Sequence, residues 1–285
     1  MNFRQVRKKA KTVQNVKKIT NAMQMVSAVK MRKSQREALE GREYRAMLDE
    51  VISEVLSKKS VLKESKIPWI EATAGSRSLC ILISSNKGLC GSFHSYLFKE
   101  VLDKQDLTTA DFIVIGKKAA EFITRTRTKI IADFSNQIPF IDNVSAVFSV
   151  MEERYISGQY SKVFVIYNKF ITSFKNEPTI EKLLPITEIK QLDKENKEIR
   201  TAEADYLLEP SGSDLLKPLI DDYLKEKIRG AIRDSEAAEH SARMMAMKSA
   251  TDNATELIFN LTLLGNKLRQ TQITNELLDM VAATS

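Results

Sequence analysis

The sequence predicts a mixed fold, in which a long antiparallel two-helix coiled coil carries an inserted α/β domain. The two ends of the chain contain almost no Pro or Gly and repeat apolar residues every three or four positions, as long amphipathic helices do. Between the ends, short apolar runs alternate with helical patterns. That alternation is typical of a mostly parallel sheet covered by helices.

The first predicted element is one helix over residues 1–58. A helix of this length spans roughly 80 Å, too long to bury its apolar side in a compact domain, so it needs a partner helix of similar length. Its predicted buried stripe consists of Phe3, Val6, Ala10, Val13, Val16, Ile19, Met23, Val26 and Val29.

The partner is predicted at the other end of the chain, over residues 208–285, with Pro218 near its start. An upstream stripe that includes Leu216, Ile220, Leu224, Ile228 and Ile232 is broad enough to pack on a domain. Downstream, the spacing alternates between three and four residues, as in the seam of a coiled coil. The predicted seam residues are Met247, Ala250, Ala254, Leu257, Leu261, Leu264, Leu268 and Leu278.

Residues 75–200 form the predicted central domain. Strands are expected at the apolar runs 79–84, 111–115 and 162–167, with a further one near 180–187 and a weaker candidate near 129–132. Helices are expected near 92–104, 117–125 and 142–157. The alternation indicates a Rossmann-like α/β domain, and the charged segment 190–200 is expected to form a loop or an exposed hairpin.

Composition excludes several classes of protein. The chain has 285 residues, 43% of them hydrophobic and 28% charged, which excludes a disordered or collagen-like chain. Two cysteines provide no disulfide framework or zinc cluster and indicate a reducing compartment. No apolar run reaches the roughly 18–20 residues of a membrane span.

The positive charge is concentrated at the amino terminus. Eleven cations precede the first acid, Glu37, and subtracting them from the net charge of +7 leaves −4 on the rest of the chain. Such an arm is compatible with nucleic-acid binding, with a mitochondrial transit peptide, or with a coiled-coil strand that faces an acidic protein surface. The arm lacks aromatic residues interleaved with its cations for base stacking, and its periodicity continues without a break, so we favour the third interpretation.

The loop Asn86–Ser92 joins a predicted strand to a predicted helix, where α/β folds often bind phosphate. It lacks the Gly-Lys-Ser/Thr ending of a Walker loop and the three spaced glycines of a dinucleotide fingerprint, so a tight turn is the favoured interpretation. A Cys90/His94 dyad is conceivable, but a buried structural thiol is more common. We therefore expect no catalytic residue, cofactor or metal.

Three segments carry a resemblance to a known family. Met23–Gln35 (MQMVSAVKMRKSQ) resembles the amino-terminal signature of the gamma subunit of F-type ATP synthase, and Glu239–Ala254 (EHSARMMAMKSATDNA) resembles its carboxyl-terminal block. Ser85–Gly91 (SNKGLCG) is similar to the family's central motif. Asn86, Lys87, Ser92 and Gly265 depart from the usual residues, and the Gly is expected to loosen the helix locally.

The resemblance implies a non-catalytic central-stalk rotor that couples proton-driven rotation of a membrane c ring to ATP synthesis or hydrolysis at the beta subunits. It implies one copy per complex, contact with a hexamer of alpha and beta subunits, with the epsilon subunit and with the c ring, and no insertion into the membrane. The implied location is the cytoplasmic side of a bacterial cell membrane, with the matrix side of the mitochondrial inner membrane as the alternative. The alternative function is a coiled-coil nucleic-acid-binding protein with a flavodoxin-like module.

The resemblance also implies partner contacts. Residues near the amino terminus would meet acidic loops of the beta subunits, and residues near the carboxyl terminus would meet the hexamer. The segment from Tyr206 to Glu209 would lie against the c ring. The implied contact residues are Met23, Lys30, Arg32, Lys33, Arg243, Gln270, Thr274, Tyr206 and Glu209.

Overall fold

A computed structural model of the protein describes residues 2–57, 69–70, 75–186 and 212–284. Two long helices dominate it. Helix α1 is Phe3–Ser57, with 55 residues, and helix α5 is Gly212–Thr284, with 73 residues. The predicted loop at 190–200 lies outside the described residues.

The α/β elements lie between the two long helices in chain order. The strands are β1 (Arg77–Ile83), β2 (Ala110–Ile115), β3 (Ile130–Asp133), β4 (Tyr160–Thr172) and β5 (Lys175–Leu184). The helices are α2 (Phe93–Lys104), α3 (Lys117–Arg125) and α4 (Val144–Ile156), the last preceded by a 3-10 turn at Phe140–Asn143.

Helix α1 begins with a capping box that the sequence analysis did not identify. The backbone amide of Gln5 donates to Asn2 Oδ1 at 3.0 Å, and the backbone amide of Asn2 donates to Gln5 Oε1 at 3.2 Å. These two bonds satisfy backbone donors that the first turn of a helix otherwise leaves free.

The two long helices pack antiparallel, as the sequence predicted. At the distal end of the coiled coil, Gly265 lies against Phe3 and Val6, and Thr20 Oγ1 lies 2.7 Å from Thr251 Oγ1. At the domain end, Lys227 Nζ lies 3.5 Å from Asp49 Oδ1. Helix α5 is the longer helix, and its residues 269–283 are all exposed in the chain alone.

The buried seam of α1 differs from the predicted stripe. Val16, Ile19 and Val26 are 46–59% exposed, and each lies one position before the residue that faces α5. Along the seam, buried and half-buried positions alternate strictly by four and three residues. Those that form the seam are Val6, Ala10, Val13, Lys17, Thr20, Gln24, Ser27, Met31, Ser34, Ala38, Gly41, Arg45, Leu48 and Ile52; the other half-buried residues, such as Met23 and Arg42, lie beside it.

The same one-residue offset occurs in α5. Leu257 and Leu264 are 41% and 40% exposed, and their places in the seam are taken by Ile258 and Gly265. Leu261 is confirmed as a seam residue at 7% exposure. Many of the seam residues are small or polar, so a search for apolar residues places the stripe on the neighbouring face.

The sheet has the strand order β3-β2-β1-β4-β5. The first four strands are parallel, and β5 pairs antiparallel with β4 at one edge. The mostly parallel sheet is therefore confirmed. The last strand begins at Lys175, earlier than predicted, and includes Pro178, which an edge strand tolerates because one side of its backbone needs no partner.

Alternate residues of β1 face two cores. Leu79, Ile81 and Ile83 pack towards α4 and the first part of α5, and Cys80 and Leu82 pack towards α2 and α3. The upstream stripe of α5 packs in the first of these cores, where Leu216, Ile220, Leu224, Ile228 and Ile232 are fully buried and Tyr223 is half-buried. Helix α5 therefore belongs both to the domain and to the coiled coil, and it holds the coil against the sheet.

Candidate functional site: the surface of the coiled coil

The crevice where an α/β sheet usually binds its ligand is filled in this protein. The strand order reverses between β1 and β4, and ligands of open α/β sheets bind beyond the carboxyl ends of the strands at such a point. Here Cys90, Phe93 and Phe170 form a buried cluster with Ala237 and Ala238 of α5. The long helix thus occupies the place that a nucleotide would take.

The first backbone amides of α3 already have hydrogen-bond acceptors within the chain. The amide of Lys117 donates to Asn86 Oδ1 at 2.7 Å, and the amide of Ala119 donates to Ser84 Oγ at 2.8 Å. The Lys118 amide donates to the carbonyl of Ser85 at 3.1 Å. These amides at the start of α3 are therefore already bonded and are not free to hold a phosphate there. Ahead of α2, at the loop Asn86–Ser92, the amide of Phe93 donates to the carbonyl of Cys90 at 3.3 Å, as in a tight turn.

Arg243 joins this loop to the coiled coil. Its Nη2 donates to the Lys87 carbonyl at 3.1 Å, its Nε donates to the Gly88 carbonyl at 3.3 Å, and its Nη2 lies 2.6 Å from Glu239 Oε1. The residue is only 8% exposed. Its guanidinium is therefore engaged inside the chain, where it fixes the loop at 85–91 to α5.

Cys90 and His94 do not form a reactive pair in this geometry. His94 Nε2 lies 3.1 Å from Ser85 Oγ, and burial raises the pKa of the Cys90 thiol. A reactive cysteine needs a lowered pKa, so the arrangement favours the structural interpretation.

A shallow pocket lies at the other end of the strands, where the parallel strands β1, β2 and β4 begin. Its carboxylate is already engaged, because Arg77 pairs with Asp111 and the Tyr160 hydroxyl donates to Asp111 Oδ2 at 2.7 Å. Burial opposes ionisation of Asp111, but the bonds from Arg77 and Tyr160 outweigh it and lower the pKa of the carboxyl. We interpret this group as a structural tie between β1, β2 and β4.

Within the described residues, no cluster of three or more His, Cys, Asp or Glu side chains is placed to hold a metal.

The predicted contact residues mostly lie on the surface of the coiled coil. Lys30, Arg32 and Lys33 are exposed on α1, and Met23 is half-buried beside the seam. Gln270 and Thr274 are exposed on the part of α5 that extends past α1. Tyr206 and Glu209 lie outside the described residues.

An extensive apolar surface lies on the coiled coil, and part of it had been predicted to belong to the seam. Monomeric soluble proteins rarely expose so many large apolar residues on one element, and such surfaces mark binding to other molecules. The exposed residues are Val16, Ile19, Met25, Val26 and Val29 on α1 and Leu257, Phe259, Leu263, Leu264, Ile273, Leu277, Leu278, Met280 and Val281 on α5. The seven-residue repeat of small and polar residues in the seam was the signal in the sequence that would have identified these apolar residues as exposed.

A group of acids lies where the coiled coil meets the domain. Burial, then the neighbouring charges of Glu239 and Glu37, raise the pKa of Glu236 to about 7, although Arg233 and Lys33 act in the opposite direction. Burial likewise lowers the pKa of His240 to about 4. The carboxylate of Glu236 is thus destabilising when it is charged.

Replacement of Glu236 with Gln is expected to stabilise the protein at pH 8 and to leave it almost unchanged at pH 4.5. The folded state holds the Glu236 proton up to about pH 7, whereas an unfolded Glu releases it near pH 4.3. The destabilisation therefore develops as the pH rises between these values. We expect a gain on the order of 2 kcal/mol at pH 8, discounted for partial exposure.

Thermal denaturation at both pH values, followed by circular dichroism, measures this effect. Glu100→Gln is a suitable control, because Glu100 lies on α2, away from the acid group, beside Lys104. An equal gain for Glu236→Gln at both pH values would contradict the assignment.

The geometry by itself defines a class of protein. A long two-helix coiled coil with an uncovered apolar and basic surface, attached to an α/β domain whose ligand crevice is filled, is suited to binding inside a larger assembly. No helix in the described ranges is long and apolar enough to cross a bilayer.

Comparison with known proteins gives the family. The family described as "ATP synthase" matches residues 2–285. The chain is 36% identical to the ATP synthase gamma chain of Glaesserella parasuis over 99% of this chain and 98% of the relative. It is 34% identical to the gamma chain of Opitutus terrae, over 98% and 97%. The chain belongs to the ATP synthase gamma chain family, whose members are central-stalk subunits of F-type ATP synthase.

Solved structures show the same fold. A Tetrahymena thermophila mitochondrial ATP synthase central stalk/c-ring structure matches with a TM-score of 0.60 and 24% identity, covering 81% of this chain and 99% of that one. A rotor structure of the Euglena gracilis mitochondrial ATP synthase matches with a TM-score of 0.63 and 20% identity, covering 95% and 98%. None of these relatives supports the nucleic-acid-binding alternative.

Proposed function

We propose that this chain is a non-catalytic rotor shaft, present in one copy, that turns inside a hexamer of alpha and beta subunits and is driven by a c ring. The carrying observation is the apolar surface on both sides of the coiled coil, which α1 and α5 do not cover for each other. An asymmetric shaft can act without an active site of its own, because it changes which conformation each surrounding subunit favours.

The charge distribution supports the proposed contact with the beta subunits. Ten of the eleven cations up to Arg36 are exposed on α1, the exception being Lys17 in the seam. Among the exposed ones, Lys30, Arg32 and Lys33 would attract acidic loops of the beta subunits. Gln270 and Thr274 lie on the part of α5 that extends past the amino-terminal end of α1, and they would meet the upper part of the hexamer. For Arg243 the contacts within the chain favour a role in holding the loop at 85–91, which would act on partners only indirectly.

The remaining partners and the location follow from the same proposal. The α/β domain would lie outside the hexamer with the epsilon subunit, and the segment from Tyr206 to Glu209 would lie against the c ring. The complex would sit on the cytoplasmic side of a bacterial membrane, with this chain peripheral to the bilayer.

Reconstitution tests the proposed function. The full chain mixed with alpha and beta subunits is expected to restore ATP hydrolysis, and the chain alone is expected to show none. A nucleic-acid-binding protein would instead bind DNA with an affinity that falls steeply with salt. Failure of the chain to assemble with the hexamer would contradict the rotor proposal.

Replacement of Met23 with Lys is expected to reduce the coupling between ATP hydrolysis and proton transport. The change adds a cation beside an already basic surface that would meet acidic loops, which strengthens one rotational position over the others. Proton pumping per ATP hydrolysed, measured in membrane vesicles, gives the effect, and Met23→Leu is the control. Equal coupling in both variants would contradict the assigned contact.

A further inference from the structure

Two polar contacts join α1, α5 and the sheet at once. In the first, Nη2 of Arg42 on α1 donates to the carbonyl of Phe170 on β4 at 2.8 Å and lies 3.1 Å from Oδ1 of Asp234 on α5. Asp234 is only 4% exposed. The Arg42 side chain is 37% exposed, so the contact reaches from solvent into the junction, and screening is weak only on the Asp234 side.

In the second contact the lysine comes from the other helix. Nζ of Lys227 on α5 lies 3.5 Å from Oδ1 of Asp49 on α1 and 3.2 Å from Oε1 of Glu181 on β5. The Lys227 side chain is 20% exposed. Burial opposes the charge of Lys227, but Glu181, Tyr223 and Asp49 outweigh it and raise the pKa of the ammonium.

The two contacts lie one heptad apart on both helices, with the charges in opposite order. Arg42 and Asp49 are seven residues apart on α1, and Lys227 and Asp234 are seven residues apart on α5. Helix α1 therefore presents a cation and then an anion, and antiparallel α5 presents the matching anion and cation.

This order opposes a shift of one helix along the other by one heptad. A shift in one direction would place Arg42 opposite Lys227, and a shift in the other direction would place Asp49 opposite Asp234. Both shifts exchange two attractive pairs for a repulsive one. Like charges are the usual means by which coiled coils exclude wrong pairings.

A glycine between the two contacts leaves room for the Arg45 guanidinium and adds a weaker preference for the same register. A Cβ at position 230 would overlap the guanidinium of Arg45 and would lie 2.6 Å from its Cζ. The residues one heptad away from Gly230 are Tyr223 and Ala237. Either of them would place a Cβ there, and the Arg45 guanidinium, which is the end of a flexible side chain, would have to move away.

One of the two rows of the seam specifies the register only weakly. This row is Thr20, Ser27, Ser34 and Gly41, and a one-heptad shift exchanges these small residues with little loss of packing. The other row, Gln24, Met31 and Ala38, differs more in size and resists the shift more.

We propose that Arg42, Asp49, Lys227 and Asp234, together with the gap at Gly230, fix the register of the coiled coil and bind that register to the sheet. They act as positioning residues, because the level at which α1 presents its basic surface depends on this register. This role goes beyond the rotor function and does not depend on it.

Spin labels on the full-length chain measure the register directly. Asn21→Cys on α1 and Asn266→Cys on α5 replace exposed residues at different levels of the coil. The two native cysteines are buried and are not expected to react. A shift of seven residues moves one label by about 10 Å along the axis, which pulsed electron spin resonance resolves.

The decisive variant reverses the second contact only, by Asp49→Lys, Lys227→Glu and Glu181→Lys. The native pairs stay attractive, but both shifted registers become attractive too. We expect a second distance population of about a tenth of the molecules, and a larger one when Arg45→Ala is added. A purely stabilising role predicts one population, because the native pairs are conserved.

The control exchanges the same kind of charges elsewhere, by Glu100→Lys with Lys104→Glu on α2, and it is expected to leave one population. If the reversed variant does not fold, the neutral variant Asp49→Asn, Lys227→Gln and Glu181→Gln with Arg45→Ala serves instead, and a second population is again expected. A single native distance in the folded variant that carries Arg45→Ala would overturn the proposal.

Discussion

Replacing Leu261 with Asp is expected to unfold the distal part of the coiled coil, whereas the same change at Leu257 is expected to leave it folded. Leu261 is 7% exposed and lies in the seam, and Leu257 is 41% exposed on the neighbouring face. A carboxylate at position 261 would be buried without a partner, at a cost of about 3 kcal/mol. Asp at position 257 can remain in water.

Circular dichroism of the full chain separates the two variants. We expect Leu261→Asp to lose helical signal at room temperature or to melt at a clearly lower temperature. Leu257→Asp is the matched control, since it adds the same charge four residues away. Equal melting of the two variants would mean that the one-residue offset of the seam is wrong.

Replacing Gly116 with Ala is expected to destabilise the α/β domain by about 3 kcal/mol. Gly116 joins β2 to α3 with φ of +97°, a conformation that L side chains rarely adopt. A Cβ there would also lie 2.6 Å from the carbonyl oxygen of Ser84. Because this oxygen belongs to the backbone at the end of β1, it cannot move aside without disturbing the sheet.

Two other glycines separate the causes of this effect. Gly158 has φ of +76° but has no atom within 4 Å of the added Cβ, and Gly88 has neither feature. Denaturant unfolding should therefore rank Gly116→Ala as most damaging, Gly158→Ala at about 1 kcal/mol, and Gly88→Ala near zero. A small loss for Gly116→Ala would contradict the assigned close contact.

Much of the fold was predictable because it follows from local patterns. The runs at 79–84, 111–115 and 162–167 became β1, β2 and β4, and the three short helices lie close to their predicted ranges. These elements are dense in β-branched or apolar residues, so their periodicity is unambiguous. The antiparallel pairing was also predictable from the sequence, since each of the two long helices at the chain ends had no other partner of similar length.

The candidate site was less predictable, because it depends on which face of each helix is covered. Val16 and Ile19 have the character of seam residues, yet Lys17 and Thr20 occupy the seam. The role of Arg243 depends on a loop that lies more than 150 residues away in the sequence. Periodicity cannot report contacts of that kind, because it describes only neighbours along the chain.

The sequence by itself determined that this protein is a coiled coil with a basic end and an inserted α/β domain, because spacing and charge are properties of the chain. Only the tertiary structure decided that α5 fills the strand-end crevice and that small residues form the seam. The physical reason is that burial is shared between elements. A valine is buried only if another helix covers it, and in this protein the covering helix approaches one residue to the side.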